Sequence, residues 1–280
     1  DLDSEPDLVI AMKLLRKSHG VMIAGKVIYG DLLTDYDKYR EAVESTTLRR
    51  LGVKGLGKLK ANTVLLGMKR SWKEASEESV SNIEYVDVIR MCLITRFGVG
   101  VVKNLTIDRR SVANEKVTID VWWFVEDGGL TLLIAYLLSK HPSYRNRNAT
   151  LRLFIVTTAE TQDAEKVRMV TLLERFRIEA TVHPVVVETV DPHPKTYAKF
   201  QKYSGLDEEG MQDKRTMYFM RLSDVMATQS SSASLVVASL PIPRVGIHIR
   251  KYLCQLECLI GQRPTILIRG NQETVLTYDL

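Results

Sequence analysis

Cysteines, aromatic side chains and long apolar runs are all scarce in this chain of 280 residues, and each scarcity removes a class of answer. Three cysteines are too few, and odd in number, for a disulfide framework, which points to a reducing compartment. No Cys-x-x-Cys occurs, and His19, His141, His183, His193 and His248 stand apart without metal-ligand spacing, so no metal site is expected. Apolar runs such as Leu130 to Leu138 and Trp122 to Val125 fall well short of the roughly 18 to 20 residues needed to cross a bilayer. The chain opens Asp-Leu-Asp-Ser-Glu-Pro, which is no secretory signal. An excess of one charge is also nearly missing: 39 Lys and Arg against 34 Asp and Glu leave +5, with a sequence pI near 9.0. The basic residues are densest at Lys54 to Arg70 and Tyr144 to Arg152, without interleaved aromatic platforms, so nucleic acid is not an expected partner.

What is present is an ordinary core-forming composition, 45% hydrophobic and 26% charged, enough for one large domain or two small ones. Short apolar runs alternate with helical patterns, the signature of a parallel α/β architecture. Strands are expected at Val21 to Ala24, Thr63 to Leu66, Gly98 to Val102, Ile119 to Val125, Leu151 to Val156, Ala180 to Val187, Leu235 to Ser239 and Thr265 to Ile268. Most are continuously apolar, as strands covered on both faces are. Helices are expected at Pro6 to Lys17 (Leu8, Val9, Met12 and Leu15 inward), Val80 to Ile94 (Ile83, Val86, Ile89 and Leu93 inward) and Val245 to Ile260. Another spans Asp163 to Arg175, with Asp163 as N-cap and Val167, Val170, Leu173 and Phe176 inward. Cys254 and Cys258 share one face of the last helix and read as packing residues. The polar stretch 106–117 divides a first α/β subdomain, 1–105, from a second, 118–280. Pro192, Pro194, Gly205 and Gly210 mark 191–214 as a surface insertion in the second.

Chemistry-bearing motifs are few. Neither Gly-x-Gly-x-x-Gly after a strand nor Gly-x-x-x-x-Gly-Lys-Ser/Thr occurs, and no nucleophile elbow or His-Glu-x-x-His is present, so no catalytic residue is assigned. Glycines do follow strands at Gly25, Gly67 and Gly128-Gly129, where open α/β sheets bind ligands. The candidate nucleotide loops are Gly25 with Lys26, and Gly67 with Lys69 and Arg70, the cations facing phosphate and Trp72 stacking on a base. The alternative is a solvated loop in which Trp72 pins the next helix. Asp127-Gly128-Gly129 reads either as an anion cradle or as a strand-to-helix turn needing positive φ. Ser230 to Ser232 reads as a phosphorylation site or a polar loop.

The run Thr118-Ile-Asp-Val-Trp-Trp-Phe-Val-Glu-Asp-Gly-Gly-Leu-Thr-Leu-Leu-Ile-Ala-Tyr-Leu-Leu138 resembles the cytosolic C-terminal domain of the cation-chloride cotransporters, solute carrier family 12. Val21-Met-Ile-Ala-Gly25, Gly55 to Trp72, Leu172 to Ile178, Ala238-Ser-Leu-Pro241 and Leu267 to Thr277 agree in order, so the resemblance covers nearly the whole chain. Gly129 to Ile134, Phe176-Arg177-Ile178 and Arg269-Gly270-Asn271 are closer to the sodium-coupled branch than to the potassium-chloride branch. The resemblance implies two α/β subdomains with mostly parallel sheets flanked by helices, similar to universal stress proteins. It further implies a non-enzymatic regulatory module on the cytoplasmic side of a membrane, the plasma membrane being the expected one. The module would form a homodimer, contact its own transmembrane transport domain and answer to regulatory kinases and phosphatases. No cofactor is required, although some members bind ATP in this domain. The chain departs from the family pattern in three places. It lacks a helix and a strand ahead of Pro6, is compressed around residues 45–55, and has no Gly-x-x-Gly spacing at Gly67-Met-Lys-Arg-Ser71. The alternatives are the C-terminal domain of a potassium-chloride cotransporter, a stand-alone nucleotide-binding sensor of the stress-protein type, and a doubly wound enzyme, the last resting on fold analogy alone.

Overall fold

The computed structural model describes residues 6–15, 62–75, 79–105, 117–124, 128–187 and 191–271. Among them the strands are β1 (Thr63–Gly67), β2 (Gly98–Lys103), β3 (Thr118–Trp123), β4 (Thr150–Thr157), β5 (Ala180–Val186), β6 (Leu235–Ser239) and β7 (Thr265–Arg269). The helices are α1 (Pro6–Leu15), α2 (Val80–Ile94), α3 (Leu130–Ser139), α4 (Pro142–Arg145), α5 (Gln162–Arg175), α6 (Pro194–Ser204), α7 (Glu208–Gln212), α8 (Lys214–Gln229) and α9 (Ile249–Ile260). A 3₁₀ turn, Arg70–Trp72, follows β1.

The described strands form one sheet in the order β1-β2-β7-β6-β3-β4-β5. Every pairing is parallel except β2 with β7, which is antiparallel. The sheet therefore runs without a break from strands of the first half to strands of the second. The chain between those halves, 106–116, lies outside the described residues. Because β1 and β2 oppose the other five strands, their carboxyl ends lie at the opposite end of the sheet from those of β3 to β7.

Helices cover both faces, which is why β6 and β7 are buried at every position and apolar at most of them. On one face α2, α6, α7, α8 and α9 pack on Val99, Val101, Trp122, Phe154, Val236, Ala238 and Leu267. On the other, α1, α3, α4 and α5 pack on Ile119, Val121, Leu153, Val237, Ile266 and Ile268. Gly100 lets β1 come close, since a Cβ there would sit 2.7 Å from Leu65 Cδ2 and 3.3 Å from the Leu267 carbonyl oxygen. At the edge, β5 shows Thr181 and His183 to solvent.

Several expectations need correction. The buried side of α1 is Ala11 and Leu14 rather than Val9 and Met12, and in α2 Ile83 points outward while Asn82, Val86, Ile89 and Cys92 are buried. In α5 Val167 is 66% and Val170 38% exposed, while Met169 and Leu173 face the sheet. Asp163 lies in the first turn of α5, whose N-cap is Thr161. The last helix starts at Ile249, because residues 245 and 246 make a turn with Gly246 at φ +77°. The segment 191–214 is not simply a surface insertion: it folds into α6 and α7, which carry Phe200 and Met211 into the core. The strand expected at Val21 to Ala24 lies outside the described residues.

Candidate functional site

The loop that leaves β1 is built from its backbone outward. Met68 continues the sheet by donating its N–H to the Val102 carbonyl at 2.9 Å, and the Tyr85 hydroxyl donates to the Gly67 carbonyl at 2.9 Å. Lys69 Nζ donates to Ser81 Oγ at 2.5 Å, which joins the loop to the first turn of α2. Asn82, buried on α2, donates from Nδ2 to the Trp72 carbonyl at 3.1 Å. Trp72 is fully buried and meets Tyr203 edge-on at 6.2 Å between ring centroids. Its carbonyl thus ties the loop to α2 and its ring to α6, and the ring is not open to a base.

Of the sequence candidates, Gly67, Lys69 and Arg70 sit together on this loop, whereas Gly25 and Lys26 lie outside the described residues. Gly128 and Gly129 are at the opposite end of the sheet. Their φ values of +72° and +89° are those of a strand-to-helix turn, and Gly129 caps α3. Asp127 lies outside the described residues. Ser230 is buried and accepts from Trp122 Nε1 at 2.9 Å, while Ser231 and Ser232 are exposed in the turn after α8.

Next to the β1 loop is a charged cluster that no local sequence signal announces. Glu257 on α9 receives Lys73 Nζ on Oε1 at 3.1 Å and Lys103 Nζ on Oε2 at 3.0 Å. Burial works to raise the Glu257 pKa, but the hydrogen bonds and charges of Lys103 and then Lys73 outweigh it and hold the carboxyl below its usual range. Lys73 Nζ also lies 5.6 Å from the Trp72 ring centroid and 5.4 Å from that of Tyr203. One carboxylate thus ties the end of β2, the β1 loop and the end of α9 together.

A second polar array crosses β3, β4 and β5. Register places Asp120 beside Arg152 and Arg152 beside Thr181, with Trp122, Phe154 and His183 in the matching row. Arg152 Nε and one terminal nitrogen donate to the fully buried Asp120 carboxylate at 2.8 and 2.7 Å, a bidentate pair. Phe154 stacks on Trp122 at 4.4 Å and 6°, and His183 stacks on Phe154 at 5.1 Å and 25°. Burial and then the Arg152 charge draw the His183 pKa down, with Asp120 pulling the other way. A signal for this pair was present: a charged residue stands at the same depth in each of two neighbouring apolar strands.

Between β1 and α2 lies an open cavity of about 400 Å³ lined by Val64, Asp87, Val88, Met91, Cys92 and Phe97, among others. Among the described residues no cluster of three metal-ligating side chains is found, and no helix is long and apolar enough to cross a membrane.

The family described as Solute carrier family 12 matches residues 39–106, 106–208 and 204–279. Solute carrier family 12 member 3 of Mus musculus is 28% identical over 306 aligned positions, covering 90% of this chain and 30% of that protein. The bumetanide-sensitive sodium-(potassium)-chloride cotransporter of Manduca sexta is 34% identical over 182 positions, covering 59% of this chain and 17% of that protein. The chain thus spans less than a third of the length of these relatives. Among solved structures, the cytoplasmic domain of a prokaryotic cation chloride cotransporter superposes with a TM-score of 0.45 at 15% identity, covering 89% of this chain and 84% of that one. A universal stress protein from Archaeoglobus fulgidus DSM 4304 gives 0.43 at 13% identity, covering 88% of this chain and 81% of that one.

Proposed function

The chain belongs to solute carrier family 12, and from that membership we propose that it is the cytosolic regulatory and dimerising module of a membrane cation-chloride cotransporter of the sodium-coupled branch. The observation that carries this reading is the family match, which runs from residue 39 to residue 279 across the doubly wound fold. The named sodium-(potassium)-chloride relative supports the sodium-coupled branch.

In this reading the module performs no reaction. It couples its own arrangement to a transport unit elsewhere in the whole protein, through contacts with that unit, with a second copy of itself and with regulatory kinases and phosphatases. The physical mechanism is a population shift: a contact that binds one arrangement of the module better than another biases the transporter by that difference in affinity. ATP remains a ligand to test at Gly67, Lys69 and Arg70. With Trp72 buried, a nucleotide there would be held through its phosphates rather than by base stacking.

Flux in cells expressing the whole protein tests the transport reading. Chloride-dependent rubidium or sodium uptake that requires sodium is the expected result. Chloride-dependent rubidium flux without a sodium requirement would move the chain to the potassium-chloride branch, and no chloride-dependent flux would refute the reading. Light scattering on the purified chain tests the dimer: a two-fold mass is expected, and a monodisperse monomer counts against dimerisation through this module.

A further inference from the structure

The loop that joins β6 to α9, residues 240–248, draws arginines from separate parts of the chain. Arg90 on α2 donates from a terminal nitrogen to the Arg244 carbonyl at 3.1 Å, and Arg215 on α8 donates to the Ile242 carbonyl at 3.5 Å. Arg244 is itself in the loop and exposed. Arg269 ends β7, and the Leu240 N–H donates to the preceding Ile268 carbonyl at 2.8 Å, so sheet register sets Arg269 beside the start of the loop. Tyr252, in the first turn of α9, donates its hydroxyl to the Pro241 carbonyl at 2.9 Å. The carbonyls of Pro241, Ile242 and Arg244 thus hold side chains from α9, α8 and α2.

Carboxylates do not match this gathering of charge. Asp87 takes Arg90 at 2.7 Å, and Asp213, whose charge acts on Arg215, is held by Lys251 at 3.1 Å. Among the described residues no carboxylate stands within ion-pair distance of Arg215 or Arg244. Backbone carbonyls fix the guanidinium groups without neutralising them, and each guanidinium has further N–H donors to offer. Arg90 Nε is buried with no hydrogen-bond partner. The excess is felt locally: burial and then the Arg244 charge draw the Arg215 pKa down. Helix α9 adds its N-terminus, where His248 supplies no side-chain cap and the dipole favours negative charge. The loop has room for a ligand, since Val245 is 99% exposed and a Cβ on Gly246 would meet open space.

A ligand that answers this arrangement has several acceptor oxygens and more than one negative charge. Guanidinium forks match phosphate oxygens in pairs, whereas chloride is a single monovalent acceptor. We propose that the β6–α9 loop, with Arg90, Arg215, Arg244 and Arg269, binds a phosphate dianion, as the free ion or as the phosphomonoester of a small molecule. Bound there, the dianion bridges α2, α8 and the start of α9. The site lies at the opposite end of the sheet from Gly67, Lys69 and Arg70 and is separate from that loop. It does not depend on the transport reading, because it is built from groups within this chain alone.

The test follows thermal unfolding of the purified chain at about pH 8, where a phosphate group carries close to two charges, in graded sodium phosphate and in sodium chloride of equal ionic strength. A saturable rise in midpoint is expected with phosphate and not with chloride. Arg244→Gln changes an exposed side chain and leaves the core intact. It should weaken the apparent phosphate affinity about tenfold or more, as loss of a hydrogen bond to a charged group does. Lys140→Gln, an exposed cation at the other end of the sheet, should not weaken it. AMP separates the two sources: a rise reached at lower concentration than with inorganic phosphate, and weakened by Arg244→Gln, identifies a phosphomonoester, and one needing equal or higher concentration identifies the free ion. The proposal is overturned if phosphate does no more than chloride, or if Lys69→Gln rather than Arg244→Gln removes the response. It is equally overturned if Arg244→Gln and Arg215→Gln lower stability but keep the phosphate response, since the arginines would then only fasten the loop.

Discussion

Arg152→Met removes the charge that faces Asp120 while keeping much of the side-chain stem that packs beside Phe154. In the wild type Asp120 is fully buried and Arg152 is 26% exposed, with two hydrogen bonds of 2.7 and 2.8 Å between them. Stripping one partner from a buried pair leaves an uncompensated carboxylate and costs about 3–5 kcal/mol. That is a large share of the roughly 5–15 kcal/mol by which domains are stable. The double variant Asp120→Val with Arg152→Met has no buried charge and should lie within about 1 kcal/mol of wild type, or above it. Urea unfolding, read as a shift in midpoint at constant slope, measures both losses. A loss below about 1 kcal/mol would show that the Asp120 carboxylate is not desolvated and would refute the reasoning.

Glu257→Gln removes two ion pairs whose lysines are 28% and 26% exposed, so solvent screening limits the expected loss to about 1–2 kcal/mol. Because the folded Glu257 pKa lies below its unfolded value, this contribution is complete above an unfolded pKa of about 4.3 and is lost as pH falls through the folded value. The variant's deficit should therefore vanish in an acid titration, and a deficit that persists there would contradict the ion-pair account. Phe200→Ala should cost about 3–5 kcal/mol in thermal or urea unfolding; a loss under about 0.5 kcal/mol would return 191–214 to the status of a surface insertion. Gly129→Ala places a side chain at φ +89° and should cost about 1–2 kcal/mol, with no cost expected if the turn relaxes to negative φ.

How much of this fold can be read in advance depends on whether a pattern is local. The strand Leu235–Ser239 and the helix Val80–Ile94 are legible to the residue, one as a short β-branched run and the other as a long helical pattern. The rotation of α5 is not legible, because apolar residues occur on both sides of it and only contact with β4 and β5 selects Met169 and Leu173 over Val167 and Val170. The 191–214 segment misleads for a physical reason: Pro194 opens α6 and Gly205, at φ +69°, closes it. The residues that read as loop punctuation are helix-end signals. Its buried Phe200 is a single aromatic residue among polar neighbours, and sequence alone does not say which way it points. At the candidate loop, Gly67, Lys69 and Arg70 are adjacent in sequence and remain adjacent in space. The partners that give the loop its character, Glu257 and Tyr203, lie far along the chain. The antiparallel entry of β7 between β2 and β6 likewise joins strands from opposite ends of the chain, and no local pattern encodes it.

Helix α9 is where these distant parts meet, and its two kinds of contact do different work. Its apolar side, Tyr252, Leu253, Leu256, Leu259 and Ile260, is buried against the sheet and its neighbours and supplies most of the attraction. Its polar contacts reach everything else. Arg250 donates to the carbonyls of Tyr203 and Ala75, Lys251 pairs with Asp213, the Tyr252 hydroxyl donates to the Pro241 carbonyl, and Glu257 takes Lys73 and Lys103. Ion pairs at this level of exposure are individually weak and salt-sensitive. An apolar stripe resists removal of the helix from the core but discriminates poorly between small shifts along its axis. The polar contacts, each requiring a hydrogen-bond length and angle, discriminate sharply. The position of α9 is therefore set by contacts weak enough to be exchanged, on a base strong enough to keep the helix in place. A two-state element biased by a charge change or a binding partner needs that combination, and α9 connects the first strands, the 191–214 segment and the loop after β6 in one rigid piece.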